Sequence, residues 1–177
     1  GFYAVHFEYL SEWSRQGQSG KAIQLPRRIR AFKEAERLVI STQDLFSSKS
    51  FCWTITESGL HDFGSFKLNL SLQNLASADA RPGSDNTAWM DAEKIKWPLT
   101  IRSWQPGDSF QPIGLKGSKK LQDFFSDSKI PKSRRGQIPL LCDRQKICWI
   151  MGCRLDERVR ITPETRQILV AEYASNE

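Results

Sequence analysis

The segment GSFKLNLSL, residues 64–72, alternates apolar and polar side chains, with apolar residues at Phe66, Leu68, Leu70 and Leu72. A period of two places these four side chains on one face of a β-strand, so the segment predicts a half-buried strand. The preceding run FCWTIT is aromatic and β-branched and predicts another strand. A β-sheet is therefore the main element that the sequence predicts.

The other periodic segments add further strands and a few helices. Apolar residues from Phe2 to Trp13 share one helical face and predict an N-terminal helix. A short basic helix is predicted after Ser118, its N-cap, with a stop at Pro131. More strands are predicted over 98–104 and within QIPLLCD, KICWIMGCRLD and QILVAEY. Because strands and helices do not alternate along the chain, the pattern predicts an α+β fold.

The segment from residue 21 to residue 42 has two interpretations. Ile23 and Leu25 alternate with polar neighbours, and the run Leu38–Ile40 is β-prone, which favours two strands joined through a basic middle. A short helix over 29–38 is the alternative.

We predict two units in the chain. Residues 1–50 form a helix and a β-hairpin, and residues 51–177 form a strand-rich α+β domain with one short basic helix. Residues 76–87, ASADARPGSDNT, form the longest predicted loop.

The composition excludes several classes of protein. Hydrophobic residues make up 39% and charged residues 26%, which is typical of a packed core and not of a disordered chain. No apolar run approaches the roughly 18 residues of a membrane-spanning helix. The four cysteines lack C-x-x-C spacing and predict no zinc or other metal site. Cys142 and Cys148 lie in apolar stretches and are predicted to be buried in a reduced, cytoplasmic protein.

The chain also lacks the common catalytic and nucleotide-binding motifs. GLKGSKK, residues 114–120, fails the Walker A pattern, and no G-x-G-x-x-G is present. RPGSDN, residues 81–86, lacks the paired glycines and the final serine of an S-G-G-x-D-S pyrophosphate loop. With only His6 and His61 available, no Ser-His-acid set can be proposed. The residues predict no catalytic site and no cofactor site.

The positive charge is concentrated in one part of the sequence. The net charge is +6, and the span 102–135 alone holds eight basic and three acidic residues. In GLKGSKKLQDFF, Gly114 and Gly117 flank a lysine, and two more lysines precede the predicted helix. Lysines at a helix N-terminus oppose the helix dipole but favour a bound anion, so a nucleic-acid phosphate is the predicted ligand. A solvated lysine turn is the alternative.

The motifs of this region resemble those of the C-terminal domain of bacterial tRNA(Ile)-lysidine synthetases. The family's features are R-x-x-x-x-G-D-x-F-x-P-x-G, K-G-x-K-K-L, I-P, R-x-x-x-P-L-L and G-x-R-x-D, with a G-K-x-I-x-L-P hairpin upstream. Here they stand at Arg102, Gly107, Asp108, Phe110, Pro112 and Gly114; Lys116, Gly117, Lys119, Lys120 and Leu121; Ile130 and Pro131; Arg135, Pro139, Leu140 and Leu141; Gly152, Arg154 and Asp156; and Gly20, Lys21, Ile23, Leu25 and Pro26. The resemblance implies that residues 1–50 end the family's first C-terminal domain and that residues 51–177 form its tRNA-binding C-terminal domain. Residues 51–87 match none of these motifs, so their strands and loop belong either to the same domain or to an insertion.

The resemblance implies a role in tRNA recognition. The family's enzymes use ATP to join lysine to the wobble cytidine of tRNA(Ile), and this chemistry, with its ATP and Mg²⁺, belongs to an N-terminal domain that carries the S-G-G-x-D-S loop. Because the chain begins with Gly1 and has no such loop, we expect a piece of a longer cytoplasmic enzyme that holds no cofactor and is not itself catalytic. The implied partners are tRNA(Ile), the enzyme's own catalytic domain and a second copy in a homodimer, with no membrane.

The predicted nucleic-acid contacts combine both lines of reasoning. They comprise the two basic clusters and two arginines of the family motifs: Arg102, Lys116, Gly117, Lys119, Lys120, Lys129, Lys132, Arg134, Arg135 and Arg154. Arginines and lysines of this kind would contact phosphates, and the resemblance implies that these belong to the acceptor-stem side of the tRNA. A protein–protein or dimerisation module without a nucleic-acid role is the alternative, and an independent enzyme is a third hypothesis.

Overall fold

Strands dominate the computed structural model, which describes residues 4–16, 21–34, 37–41, 50–77 and 84–176. The helices are α1 (Ala4–Gln16), α2 (Leu121–Asp127) and α3 (Lys132–Arg135). The strands are β1 (Ala22–Gln24), β2 (Arg30–Glu34), β3 (Arg37–Ser41), β4 (Cys52–Ile55), β5 (Gly59–Asp62), β6 (Phe66–Asn74), β7 (Thr87–Asp91), β8 (Leu99–Arg102), β9 (Ser109–Phe110), β10 (Lys119–Lys120), β11 (Leu140–Cys142), β12 (Ile147–Ile150), β13 (Arg154–Leu155) and β14 (Gln167–Ser175). The predicted strand-rich α+β fold is confirmed.

Two antiparallel sheets account for most of the chain after residue 50; one buried cluster lies between residues of both sheets, and a second one packs α2 against β11 and β12. One sheet has five strands in the order β13-β12-β11-β8-β4, and the other has four in the order β5-β6-β14-β7. Leu68 and Leu70 of β6 belong to the same buried cluster as Ile101 of β8 and Leu141 of β11. Phe66, Leu68 and Leu70 therefore place one face of β6 in the core, as predicted, but Leu72, the fourth residue of the predicted face, is 52% exposed.

The strands between residues 51 and 74, most of which match no family motif, are part of both sheets. In the five-stranded sheet β4 pairs with β8, with Trp53 opposite Ile101. In the four-stranded sheet β6 pairs with β14 over nine residue pairs, with Leu70 opposite Ala171. These strands are therefore part of the same sheets as the later strands and do not form a separate insertion.

The first part of the chain forms α1 and a small antiparallel sheet in the order β1-β2-β3. Leu10, Leu25 and Ala31 are buried together there. The strand interpretation is confirmed and the helix over 29–38 is wrong, but the structure has three strands where a hairpin was predicted. The division of the chain near residue 50 remains our proposal.

Some elements were not predicted. The short strand β5 has no clear sequence pattern, and β7 lies where only a short segment was expected. Residues 78–83 of the predicted loop lie outside the described residues. Among the described helices, none has both the length and the apolar character needed to span a bilayer.

Helix α2 begins later than the sequence predicts. Lys119 and Lys120 form β10 and pair with Phe110 and Ser109 of β9, so the backbone is still extended at these lysines. The hydroxyl of Ser118 lies 3.5 Å from the carbonyl oxygen of Phe110 and caps no helix. The prediction of Ser118 as N-cap is therefore wrong, because pairing with a strand earlier in the chain extends the backbone here.

A buried carboxylate, that of Asp143, fixes the turn between β11 and β12. It accepts hydrogen bonds from the backbone N–H groups of Gln145 (2.7 Å), Lys146 (2.8 Å) and Lys96 (3.2 Å), and it pairs with the ammonium of Lys146. Burial by itself raises the pKa of Asp143, but the hydrogen bonds from Lys146 and from the backbone outweigh it, so the net pKa is lowered. The ionised carboxylate of Asp143 thus connects this turn to Lys96, in the segment before β8.

Stability at acid pH is expected to depend on Asp143. A carboxyl group whose pKa is lower in the folded than in the unfolded state stabilises the protein at pH values above its unfolded pKa of 3.8. This stabilisation is lost as the pH falls through the lower pKa of the folded state. We expect the Tm of the wild type to fall more steeply than that of Asp143→Asn between about pH 5 and pH 2. Asp123→Asn, at an exposed carboxylate, is the control. Parallel Tm curves for the wild type and Asp143→Asn would contradict this assignment.

Candidate nucleic-acid interface

A buried aspartate holds the loop that carries the first basic motif, residues 111–118, which we call the glycine loop. Asp156 is fully buried and accepts hydrogen bonds from the backbone N–H groups of Gln111 (2.9 Å) and Arg158 (2.9 Å). The guanidinium of Arg158 donates two further hydrogen bonds to the same carboxylate, at 2.9 and 2.8 Å, and this interaction raises the pKa of Arg158. The family motif residue Asp156 therefore has a structural role beside the loop.

The glycine loop is less open to an anion than the sequence predicts. Gly114 and Gly117 have left-handed φ angles of 82° and 93°, which explains why glycine stands at both positions. However, the N–H of Gly114 donates to the carboxylate of Glu157 at 2.9 Å. The first N–H of α2, that of Leu121, donates to the carbonyl oxygen of Asp108 at 2.8 Å. Two backbone N–H groups beside the lysines, those of Gly114 and Leu121, therefore have partners within the protein and are not free to bind a phosphate.

The three lysines of this motif differ in their surroundings. Lys119 pairs with Asp127 at 2.5 Å across α2. Lys116 lies exposed in the glycine loop, and Lys120 is exposed directly before α2. Neither Lys116 nor Lys120 has a carboxylate within ion-pair distance among the described residues. Of this cluster, only these two ammonium groups are available to a partner.

Two predicted contact residues are part of the domain's own structure. Arg102 donates two hydrogen bonds to Asp108, at 2.7 and 2.9 Å, and this interaction raises the pKa of Arg102. Arg135 is only 8% exposed; it donates to the carbonyl oxygen of Ile130 and to the hydroxyl of Ser126, and it lies over the ring of Phe125. We therefore leave Arg102 and Arg135 out of the candidate surface, which corrects the sequence prediction.

Arg154 is exposed but also forms a hydrogen bond within the protein. It lies exposed on β13, and its guanidinium donates to the carbonyl oxygen of Ile113 at 3.2 Å. This bond ties β13 to the glycine loop, but it leaves most of the guanidinium donors accessible. Arg154 therefore stays with Lys116 on the part of the surface around the glycine loop.

The second basic motif follows the end of α2. The N–H of Ile130 donates to the carbonyl oxygen of Phe125 (2.8 Å), and the N–H of Lys129 donates to that of Ser126 (3.0 Å). This pair of bonds is a Schellman motif, and it ends the helix at Asp127, before Pro131 can act as a stop. The motif requires a left-handed residue, and here that residue is Lys129, with φ of 54°.

Lysine is a costly residue at this position. A left-handed conformation disfavours a side chain with a Cβ by roughly 1–2 kcal/mol, and glycine is the usual occupant. The exposed Lys129 therefore opposes local stability. This is the kind of strain that is found at functional sites and that motivates a functional hypothesis.

The cations that follow Lys129 are also exposed. Lys132 and Arg134 lie on the one-turn helix α3, and both side chains are accessible to solvent. We call Lys129, Lys132 and Arg134 the basic turn. Within the described residues none of its three cations has a carboxylate at ion-pair distance. Helix α2 separates the basic turn from the glycine loop by about 10 Å along its axis.

The strain at Lys129 leads to a prediction about stability. Replacing Lys129 with glycine relieves the left-handed cost, which exceeds the roughly 0.4–1 kcal/mol of entropy that glycine adds to the unfolded chain. We therefore expect the free energy of unfolding of Lys129→Gly to equal or exceed that of the wild type by up to about 1 kcal/mol. Lys129→Ala removes the same charge without relieving the strain, so urea unfolding of the two variants isolates the backbone effect. A glycine variant less stable than the alanine variant would contradict the assignment.

No sequence motif reveals the aromatic residues beside the basic turn. Phe51, Phe66 and Tyr173 line a groove of about 650 Å³ together with Lys129 and Arg134. Phe51 and Tyr173 come from strand segments more than a hundred residues apart that carry no family motif. The aromatic character of FCWTIT is the one sequence feature that could indicate these residues, but it also predicts a β-strand.

The two buried cysteines are not reactive groups. Cys142 and Cys148 are 5% and 0% exposed, as predicted. Burial raises the pKa of Cys142 to about 11 and that of Cys148 to about 12, so both thiols stay protonated near neutral pH. They act as small apolar residues of the core.

A comparison with protein families identifies the domain that carries both basic motifs. Residues 99–171 match the family model described as the TilS substrate C-terminal domain. Residues 99–171 therefore correspond to a TilS substrate C-terminal domain. A crystal structure titled as a TilS C-terminal domain has the same fold, with a TM-score of 0.64 and 18% identity, over 73% of this chain and 99% of that one. The predicted resemblance is therefore confirmed.

Full-length relatives of the TilS C-terminal domain extend well beyond it. The chain is 32% identical to the tRNA(Ile)-lysidine synthase of Caldanaerobacter subterraneus over 85% of its own length and 32% of the relative's. It is 32% identical to the tRNA(Ile)-lysidine synthase of Clostridium tetani over 95% of its length and 37% of the relative's. The chain thus spans about a third of the length of these relatives.

Proposed function

We propose that the chain is the tRNA-recognition region of a tRNA(Ile)-lysidine synthase and that the basic turn contacts the phosphate backbone of the tRNA. The observation that carries this proposal is the basic turn itself: Lys129, Lys132 and Arg134 are exposed within six residues and have no internal carboxylate partner among the described residues. Lys129 is held there at a conformational cost. A polyanion would use these charges and offset that cost.

The glycine loop would supply a second, weaker contact. Lys116 and Lys120 are exposed before the other end of α2, and Arg154 is hydrogen-bonded to the glycine loop at Ile113. Contacts at both ends of α2 suit a nucleic-acid backbone, which repeats its charge along its length, better than a single small anion. Such contacts position the RNA and do not read its sequence.

We propose that the chain contributes recognition and not chemistry. The relatives are named tRNA(Ile)-lysidine synthases, and the ATP-dependent attachment of lysine to the wobble cytidine is proposed for the whole enzyme, in the cytoplasm. The catalytic domain and a second copy of the enzyme are the further proposed partners. ATP–pyrophosphate exchange by the isolated chain would contradict this division of roles.

A binding titration tests the tRNA proposal. The chain is titrated into a labelled tRNA(Ile) transcript at several salt concentrations. We expect the logarithm of the association constant to fall linearly with the logarithm of the salt concentration, by about 0.9 for each phosphate neutralised in a duplex region. Failure to bind the transcript at low salt, or an affinity independent of salt, would contradict the proposal.

One structural observation favours the alternative of a protein–protein module. Strand β4 lies at the edge of the five-stranded sheet among the described strands, and its Trp53 side chain is 36% exposed. Exposed strand edges with apolar side chains are suited to pairing with another chain. Sedimentation at low and high salt separates the two functions: self-association that is unaffected by salt, without tRNA binding, would favour the module.

A further inference from the structure

We infer that the groove beside the basic turn binds an unpaired nucleotide of the RNA, with the base against aromatic rings and the phosphate at the basic turn. This inference rests on the proposed function and specifies which feature of the RNA one part of the surface accepts. The groove measures about 650 Å³, within the range of sites that bind small organic ligands.

Three aromatic residues contribute to the lining of the groove. Phe66 is 3% exposed, while Phe51 and Tyr173 are half-buried. The ring centroid of Phe66 lies 6.4 Å from that of Phe51 and 5.6 Å from that of Tyr173. Phe51 also stacks on Trp53, with centroids 4.7 Å apart. The rings are therefore held in place by one another before any ligand arrives.

The lining of the groove also carries positive charge. Lys129 and Arg134 belong to it, together with their neighbours Ile130 and Pro131. Aromatic rings and cations in one groove match the two parts of a nucleotide, because a base stacks on rings and a phosphate binds ammonium and guanidinium groups. This charge complementarity favours a nucleotide over an apolar peptide segment.

The nucleotide must be unpaired. A base inside a duplex is stacked on both faces by its neighbours, so protein rings cannot reach its faces. An unpaired base exposes both faces, and stacking on an aromatic side chain is accessible to any base type. The groove therefore distinguishes single-stranded from duplex RNA and does not read a particular sequence.

The test compares a blunt RNA duplex with the same duplex carrying a short unpaired overhang. For the wild-type chain we expect the overhang to raise the affinity about tenfold. Ser65 lines the groove with an exposed side chain, so Ser65→Trp fills the groove without removing a core residue. We expect Ser65→Trp to lose the gain from the overhang and to bind the blunt duplex like the wild type.

The control places the same bulk at the other end of β6. Gln73 is exposed near the end of the strand that Ser65 precedes, about 27 Å away along β6, so Gln73→Trp should keep the full gain. Phe51→Ala, whose folding is checked by its thermal transition, should lose the gain as Ser65→Trp does. The inference is overturned if the overhang adds nothing for the wild type or if Ser65→Trp retains the gain. Absence of blunt-duplex binding would instead refute the proposed function.

Discussion

Replacing Lys129 with glycine and Arg134 with alanine together is expected to lower the affinity for tRNA(Ile) about tenfold near physiological salt. A factor of ten corresponds to about 1.4 kcal/mol. That is a modest value for two cations that each contact a phosphate, and it allows for the screening that exposed side chains experience. Lys129→Gly relieves backbone strain and Arg134 is exposed, so we expect the double variant to stay folded, which its thermal transition checks. Fluorescence anisotropy of a labelled transcript measures the change.

A charge-matched pair elsewhere in the domain is the control. Arg144 lies in the turn after β11. Arg166 directly precedes β14, whereas Ser175, which lines the groove, is at the other end of that strand. Both arginines are exposed. Replacing both with alanine changes the net charge by the same amount and should leave the affinity within about twofold of the wild type. An equal loss in both double variants would show that only net charge matters and that the basic turn has no special role.

Replacing Asp156 with alanine is expected to lower the free energy of unfolding by about 3 kcal/mol. The change leaves the N–H groups of Gln111 and Arg158 without their acceptor and removes both hydrogen bonds from the Arg158 side chain. The Arg158 side chain is 38% exposed, so water can solvate part of its charge, which keeps the loss below the upper end for buried ion pairs. Urea denaturation of the two proteins measures the difference.

The control for Asp156 is an ion pair at the surface. The carboxylate of Asp127 is 66% exposed in its pair with Lys119, so Asp127→Ala should cost less than about 1 kcal/mol. A loss for Asp156→Ala that is no larger than the loss for Asp127→Ala would contradict the structural role of Asp156. If Asp156 does fix the glycine loop, Asp156→Ala should also weaken tRNA binding through Lys116.

Elements with a regular alternation of apolar and polar residues could be predicted from the sequence. The alternation from Phe66 to Leu72 identified β6, because one face of that strand is buried in the shared core. The start of α2 was misplaced, because β10 forms only when the chain returns to Ser109 and Phe110. That pairing depends on the turn between the two segments and has no periodic signature of its own.

The same limit applies to the candidate site. The sequence predicted a contact region that includes the basic turn, but charge alone could not distinguish Arg134, which is exposed, from Arg135, which is buried over Phe125. Nor could it show that Arg102 forms an ion pair with Asp108, six residues later. Phe51 and Tyr173 line the same groove because the two sheets pack on a shared core, and no local sequence pattern indicates that packing.

The salt dependence of tRNA binding tests the central claim most directly. The association constants of the wild type, the Lys129→Gly and Arg134→Ala double variant, and the Arg144→Ala and Arg166→Ala control are measured over the same range of salt concentrations. Two lost phosphate contacts should make the log–log slope of the first variant shallower by about 1.8, while the control keeps the wild-type slope. Equal slopes for the wild type and the basic-turn variant would contradict the claim that these side chains bind the tRNA backbone.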